Sequence, residues 1–267
     1  MEKIEELISF FTEQGVSRAV AIVYLVVSAL IILMAVVVLV MRIYLMFAYH
    51  DGNKQKTHNG KTSNEVAREA LDKLGLKHIK IKKAGFLRAF IYGNCYSITQ
   101  KTIFLRRGIY DKNSITAVAM ALQKVGVAKM CESGSVKTRT RNIMQILSLF
   151  GPILFVPVVI AGFVIDYALF SVFGLFSVVG IIIGLVLVSA GLIATLLNLP
   201  VEKQANEMAL KMINQTNVLT ADEVVIVKKV FKAYLVSYIC EFIVAVLRIV
   251  QIILEIVMNV QINNKNN

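Results

Sequence analysis

The run AVAIVYLVVSALIILMAVVVLVM, Ala19 to Met41, places 23 uncharged residues between Arg18 and Arg42. About 20 residues of helix, each rising 1.5 Å, cross the hydrocarbon of a bilayer. The run is too long for a signal peptide and has no clear small-residue cleavage site, so it predicts a transmembrane helix. The rest of the chain agrees. Of 267 residues 57% are hydrophobic, only three are proline and none is tryptophan, and the mean hydropathy is +0.70. That excludes a disordered or collagen-like chain and is too apolar for an ordinary soluble domain of this length.

Further uncharged blocks follow. Asn142 to Ile165 contains Pro152 and Pro157, and Tyr167 to Val201 comes after the single charge Asp166. They predict two helices joined by a turn near Asp166, with Pro200 and Glu202 closing the third span. The last apolar stretch, Ala233 to Val260, carries Glu241, Arg248 and Glu255. Charges spaced by seven drift only about 20° per step around a helix and form one stripe. Either a fourth span turns that stripe toward its neighbours, or an amphipathic helix lies on the membrane surface. The continuous Ile, Leu and Val of the opposite face favour the span.

The predicted class is thus an α-helical integral membrane protein of about four transmembrane helices with a small cytoplasmic α+β insert. Its parts are residues 1–49 (N-terminal segment and first span), 50–141 (insert), 142–201 (helical pair), 202–232 (cytoplasmic helical segment) and 233–267 (fourth span and tail). Charge sets the expected orientation. From Arg42 to Arg141 there are 20 Lys/Arg against 6 Asp/Glu, within a formal net charge of +12 for the whole chain. Basic excess marks the cytoplasmic side. Residues 50–141 and 202–232 are therefore expected inside a multi-pass plasma-membrane protein, with both termini outside. The basic insert lacks any nucleic-acid-reading module and has no aromatics interleaved with its charges. Membrane lipids account for its charge more simply.

Within the insert, residues 51–62 read as a linker. Thr62 or Ser63 can cap a helix from Asn64 that Gly75 stops. His78 to Lys82 alternates as a strand does. Tyr92 to Arg106 reads as a hairpin turning at Thr99-Gln100-Lys101, and Ile115 to about Met130 as a helix. The apolar content is too small for a large independent core, so the insert is expected to lean on the membrane helices or on residues 202–232. Cys95, Cys131 and Cys240 have no CxxC spacing and read as reduced packing thiols.

Several stretches together resemble the membrane-embedded neutral zinc metallopeptidases of the YugP type. They are the helix start Ser63-Asn64-Glu65-Val66-Ala67-Arg68, the hairpin end Lys101-Thr102-Ile103-Phe104-Leu105 and the helix Ile115-Thr116-Ala117-Val118-Ala119-Met120-Ala121. Leu199-Pro200-Val201-Glu202 and Leu219-Thr220-Ala221-Asp222-Glu223-Val224 extend the likeness. The resemblance implies a helix carrying His-Glu-Val-Gly-His. There, histidines at i and i+4 bind zinc, the glutamate between them activates water, and a glutamate beyond the third span completes the ligand set.

The matching stretch here is Gln123-Lys124-Val125-Gly126-Val127, and no HExxH occurs anywhere in the chain. Gln123 and Val127 stand at the histidine positions, Lys124 at the base position, and Glu202 where the third ligand would be. Valine offers no donor atom, an amide is a weak zinc ligand, and an ammonium repels a cation. The sequence therefore predicts no metal, no cofactor and no hydrolysis at this site, with Lys124 paired to Glu202 in place of the missing ion. His50, His58 and His78 share no helix face. A rebuilt site from Cys95, Cys131, His78 and Glu202 is the enzymatic alternative.

The expected role is a catalytically inactive homologue that acts as an adaptor, regulator or scaffold. Its partner would be another membrane protein or a peptide segment, added as a strand along an extended edge near residues 100–106. The alternative outside both classes is an oligomeric channel or transport component, suggested by the glycines of spans two and three. Small residues more often allow helices to pack closely than line a pore.

Overall fold

The computed structural model describes residues 2–166 and 175–266. The chain falls into two compact units, Met1–Ile43 with Val236–Asn267, and Tyr44–Leu235. Helices α1 (Glu2–Glu13), α2 (Arg18–Lys54) and α8 (Ala221–Asn266) supply the first unit, the latter two running on into the second.

In the first unit α2 and α8 run antiparallel. Ser17 meets Gln261, the Tyr24 hydroxyl donates to Glu255 at 3.4 Å, and Arg42 pairs with Glu241 at 3.5 Å. Two of the three stripe charges of α8 thus turn toward α2, while Arg248 donates to Gln251 one turn along its own helix. The segment before the first span is itself helical. α1 turns back at Gly15, whose φ of +100° suits a residue without Cβ, and Phe11 stacks edge-on against Tyr24. Both α2 and α8 are long and apolar enough to cross a membrane, with mean hydropathies of 3.2 and 2.2 in their apolar windows.

The second unit holds α3 (Ser63–Lys73), β1 (Lys80–Lys83), α4 (Phe86–Tyr92), β2 (Cys95–Ser97), β3 (Thr102–Leu105), α5 (Ile115–Glu132), α6 (Val136–Ile165) and α7 (Leu175–Thr216). Thr62 and Glu65 form a reciprocal capping box at the start of α3, and Gly75 leaves that helix at φ +72°. The sheet order is β1-β3-β2, with β1 parallel and β2 antiparallel to β3. Residues 100–106 are therefore not an edge: β3 is the central strand and buried throughout, and the strand beside the hairpin turn with an open side is β2. Residues 51–54, read from sequence as linker, continue α2. α4 interrupts what reads from sequence as strand followed directly by hairpin.

α5 is the axis of this unit. Sixteen of its residues are buried, and a helix apolar on every side belongs in the middle of its fold. Its Ala-rich surface packs against α3, the sheet and α7, and the core runs on through Val201, Ala205, Ala209, Ile213 and Phe231. The insert leans on the continuation of α7 and the start of α8. α7 passes unbroken through Pro200, so the helix does not end where its apolar run does. α6 and α7 pack along each other. The Asp166 carboxylate is buried and accepts from the Phe176 backbone N–H at 2.9 Å, in the first turn of α7, where backbone donors have no acceptor within the helix. The expected turn just after Asp166, and residues 167–174 of the third apolar block, lie outside the described residues.

Candidate functional site

The α5–α7 contact begins with a glycine. A Cβ built on Gly126 would lie 3.1 Å from the Ala205 carbonyl oxygen and 3.3 Å from the Met208 Cβ. The two helices therefore approach closely one turn from Gln123. On α7 Glu202, Ala205, Asn206 and Ala209 stand at the i, i+3, i+4, i+7 spacing of a single helix face, with Val201 one turn before Ala205, and all five are buried.

Glu202, 3% exposed, is the centre. Lys124 Nζ lies 3.3 and 3.4 Å from its two carboxylate oxygens. Arg141, from the first turns of α6, donates Nη2 to Glu202 Oε1 at 2.5 Å. Gln123 Nε2 donates to Glu202 Oε2 at 2.9 Å and to Asn206 Oδ1 at 2.7 Å. Burial pushes the Glu202 carboxyl up, but the charges of Lys124 and Arg141 outweigh it and hold the group below the usual carboxylate range. Burial also pushes the Lys124 ammonium down, against the pull of Glu202.

Of the residues singled out in the sequence, Gln123, Lys124 and Glu202 converge here. Val127 is buried and has no polar atom to contribute. Arg141 and Asn206 were missed. Asn206 lies one turn after Glu202 and could have been found by its i, i+4 spacing. Arg141 reads in the sequence only as the last charge before a span.

These residues do not fit zinc. The one carboxylate already carries two cations and an amide. Three buried side-chain atoms of the cluster lack a partner: Gln123 Oε1, Arg141 Nε and Asn206 Nδ2. Two of the three are N–H donors, which suit an acceptor rather than a metal ion. The rebuilt set also stays apart. His78 faces Glu132 at 3.3 Å, and the Cys131 sulfur accepts from Asn142. Burial pushes the Cys131 thiol up to about 11 and raises Cys95 as well. Among the described residues no three of His, Cys, Asp and Glu stand together as a metal would require.

Next to the cluster a cavity of about 300 Å³ runs along β2, with Arg88 and Tyr92 of α4 on one side and Arg141, Asn142 and Ile143 of α6 on another. Arg141 thus reaches from the buried cluster to the cavity wall. Glu132, the last residue of α5, accepts from Tyr96 at 2.7 Å and Lys101 at 2.6 Å and so ties β2 and its turn to the central helix.

A central helix and a facing glutamate from a long, largely apolar helix, with a small sheet beside them, make up this site. The family model described as "Putative neutral zinc metallopeptidase" matches residues 26–257, and the chain belongs to that family. No curated protein matches it, and no solved structure does.

Proposed function

We propose that this chain is a catalytically inactive member of the family, and that it works by binding a peptide segment of another membrane protein. The observation that carries the reading is the saturation of Glu202 by Lys124, Arg141 and Gln123. A carboxylate so engaged has no lone pair free for a metal, and no carboxylate base stands where water would be activated. The cavity then serves recognition. β2 pairs with β3 alone among the described strands, so its outer backbone groups are free to take an added strand. On this reading α6 and α7 join α2 and α8 as spans, residues 50–141 and 202–232 are cytoplasmic, both termini lie outside and the site is the plasma membrane.

Two measurements test it. Elemental analysis of protein purified without chelator should find no stoichiometric zinc, and peptide cleavage should be absent. A photo-crosslinker at Ser97 should trap a discrete membrane-protein partner in native membranes, while the same probe at the exposed Lys73 should not. Chelator-sensitive cleavage would end the proposal.

A further inference from the structure

α4 has no role in the cluster, and its large apolar side chains are left outside the core. None of its seven residues is buried, and Phe86, Leu87 and Phe90 are 84%, 71% and 79% exposed. Such side chains gain by leaving water, so water is a costly surrounding for three of them side by side. The helix is nonetheless held in place. Arg106 Nε donates to the Ala89 carbonyl at 3.1 Å, while Arg88 lies 3.8 Å over the Phe104 ring and donates to Gln100. The backbone is fixed to β3 and its turn while the large apolar side chains face outward.

The surroundings identify what covers them. From Lys73 to Tyr110 there are nine Lys/Arg and no Asp or Glu. Lys80, Lys82 and Lys83, on the strand leading directly into α4, are exposed, as is Arg107. Large apolar side chains set among basic ones are the composition of an interfacial, anionic-membrane-binding segment. Position agrees: α4 lines the same cavity as Asn142 and Ile143, where the uncharged run of α6 begins. This last step rests on the reading of α6 as a span.

We infer that α4 docks into the headgroup region of an anionic bilayer, with Phe86, Leu87 and Phe90 reaching the acyl boundary and Lys82, Lys83 and Arg107 meeting lipid phosphates. The cavity beside β2 then opens at the membrane surface, and a bound segment arrives from the interface rather than from bulk water.

The chain has no tryptophan, so one introduced residue is a clean probe. The full chain carrying Phe90→Trp, and separately Ile160→Trp on α6, is reconstituted in phosphatidylcholine vesicles containing phosphatidylglycerol. The expected result for Phe90→Trp is blue-shifted emission, loss of intensity with brominated acyl chains and protection from aqueous iodide. Adding Lys82→Glu and Lys83→Glu should shift that emission back to the red. Water-like, iodide-quenched emission from Phe90→Trp overturns docking, and the α6 reading survives it if Ile160→Trp is quenched by brominated chains. Shielding of Phe90→Trp from both quenchers also overturns it, because protein then covers α4. Bromolipid quenching at Phe90→Trp alone supports docking and removes α6 as a span.

Discussion

The Lys124 ammonium stands 3.3 Å from a Glu202 carboxylate oxygen, with both side chains buried. Together with Arg141 it gives one buried carboxylate two cationic partners. Taking charges out of water costs several kcal/mol per ion, and only close partners offset it. The arrangement is therefore sensitive to which member is removed.

Glu202→Gln leaves two cations buried without a counter-charge, and a loss of about 3–5 kcal/mol is expected. Lys124→Met leaves Glu202 with Arg141 and Gln123 and should cost clearly less. Thermal unfolding in detergent orders the two variants, and equal melting of Glu202→Gln and the parent protein would mean that the ion pairs contribute nothing.

Acid should loosen β2. Burial raises the Glu132 carboxyl, but hydrogen bonds from Lys101, Tyr96 and His78 together bring it below its ordinary value of 4.5. A group depressed in the folded state stabilises above the unfolded value and loses that contribution as pH falls through the lower folded one. Protection of the 95–101 hairpin in hydrogen exchange should hold at neutral pH and fall below about pH 4.5. Glu132→Gln should show weak protection at every pH. A hairpin equally protected in the variant would remove Glu132 as its tether.

Much of this was legible in the sequence, for identifiable reasons. The capping box at Thr62 and Glu65 is a local signal, and so is the long uncharged run of α2. The unbroken apolar and small-residue pattern of α5 is consistent with a buried axis. Three features could not be read locally. α4 is two turns long, too short for a period to emerge. α7 continues through Pro200 because its far half packs on α5, a tertiary effect that overrides a local breaker. Arg141 joins Glu202 only because α6 folds back beside α5, and no spacing within one element reports that. The assignment of residues 100–106 as an edge failed for a related reason: strand order depends on β1 pairing parallel to β3 across an intervening helix.

Gly126 tests the close approach of α5 and α7. Alanine gains about 1 kcal/mol over glycine in a helix, but here its Cβ meets a backbone oxygen at 3.1 Å, so Gly126→Ala should be nearly neutral. Gly126→Leu cannot fit and should cost about 1–3 kcal/mol by overpacking. It should also separate Gln123 from Glu202 and raise protease sensitivity of α5. A Gly126→Leu protein as resistant as the parent would show that the helices are not in contact there.

The strongest test of the site rebuilds it. Gln123→His, Lys124→Glu and Val127→His together put two imidazoles one turn apart with a carboxylate between them, on the helix whose Gln123 and Lys124 now contact Glu202. Asn206, whose side-chain oxygen now accepts from Gln123 at 2.7 Å, is placed to accept from the new imidazole at 123 and orient it, as partners of metal-bound histidines do. Arg141 opposes the gain, because its guanidinium occupies one of the two Glu202 oxygens. The triple variant should therefore bind zinc weakly, and adding Arg141→Leu should tighten binding by at least an order of magnitude, the scale of outer-shell effects. Glu202→Ala on that background should abolish it. Equilibrium dialysis with elemental analysis gives the three affinities. If Arg141→Leu changes nothing, the guanidinium is not what keeps Glu202 from a metal.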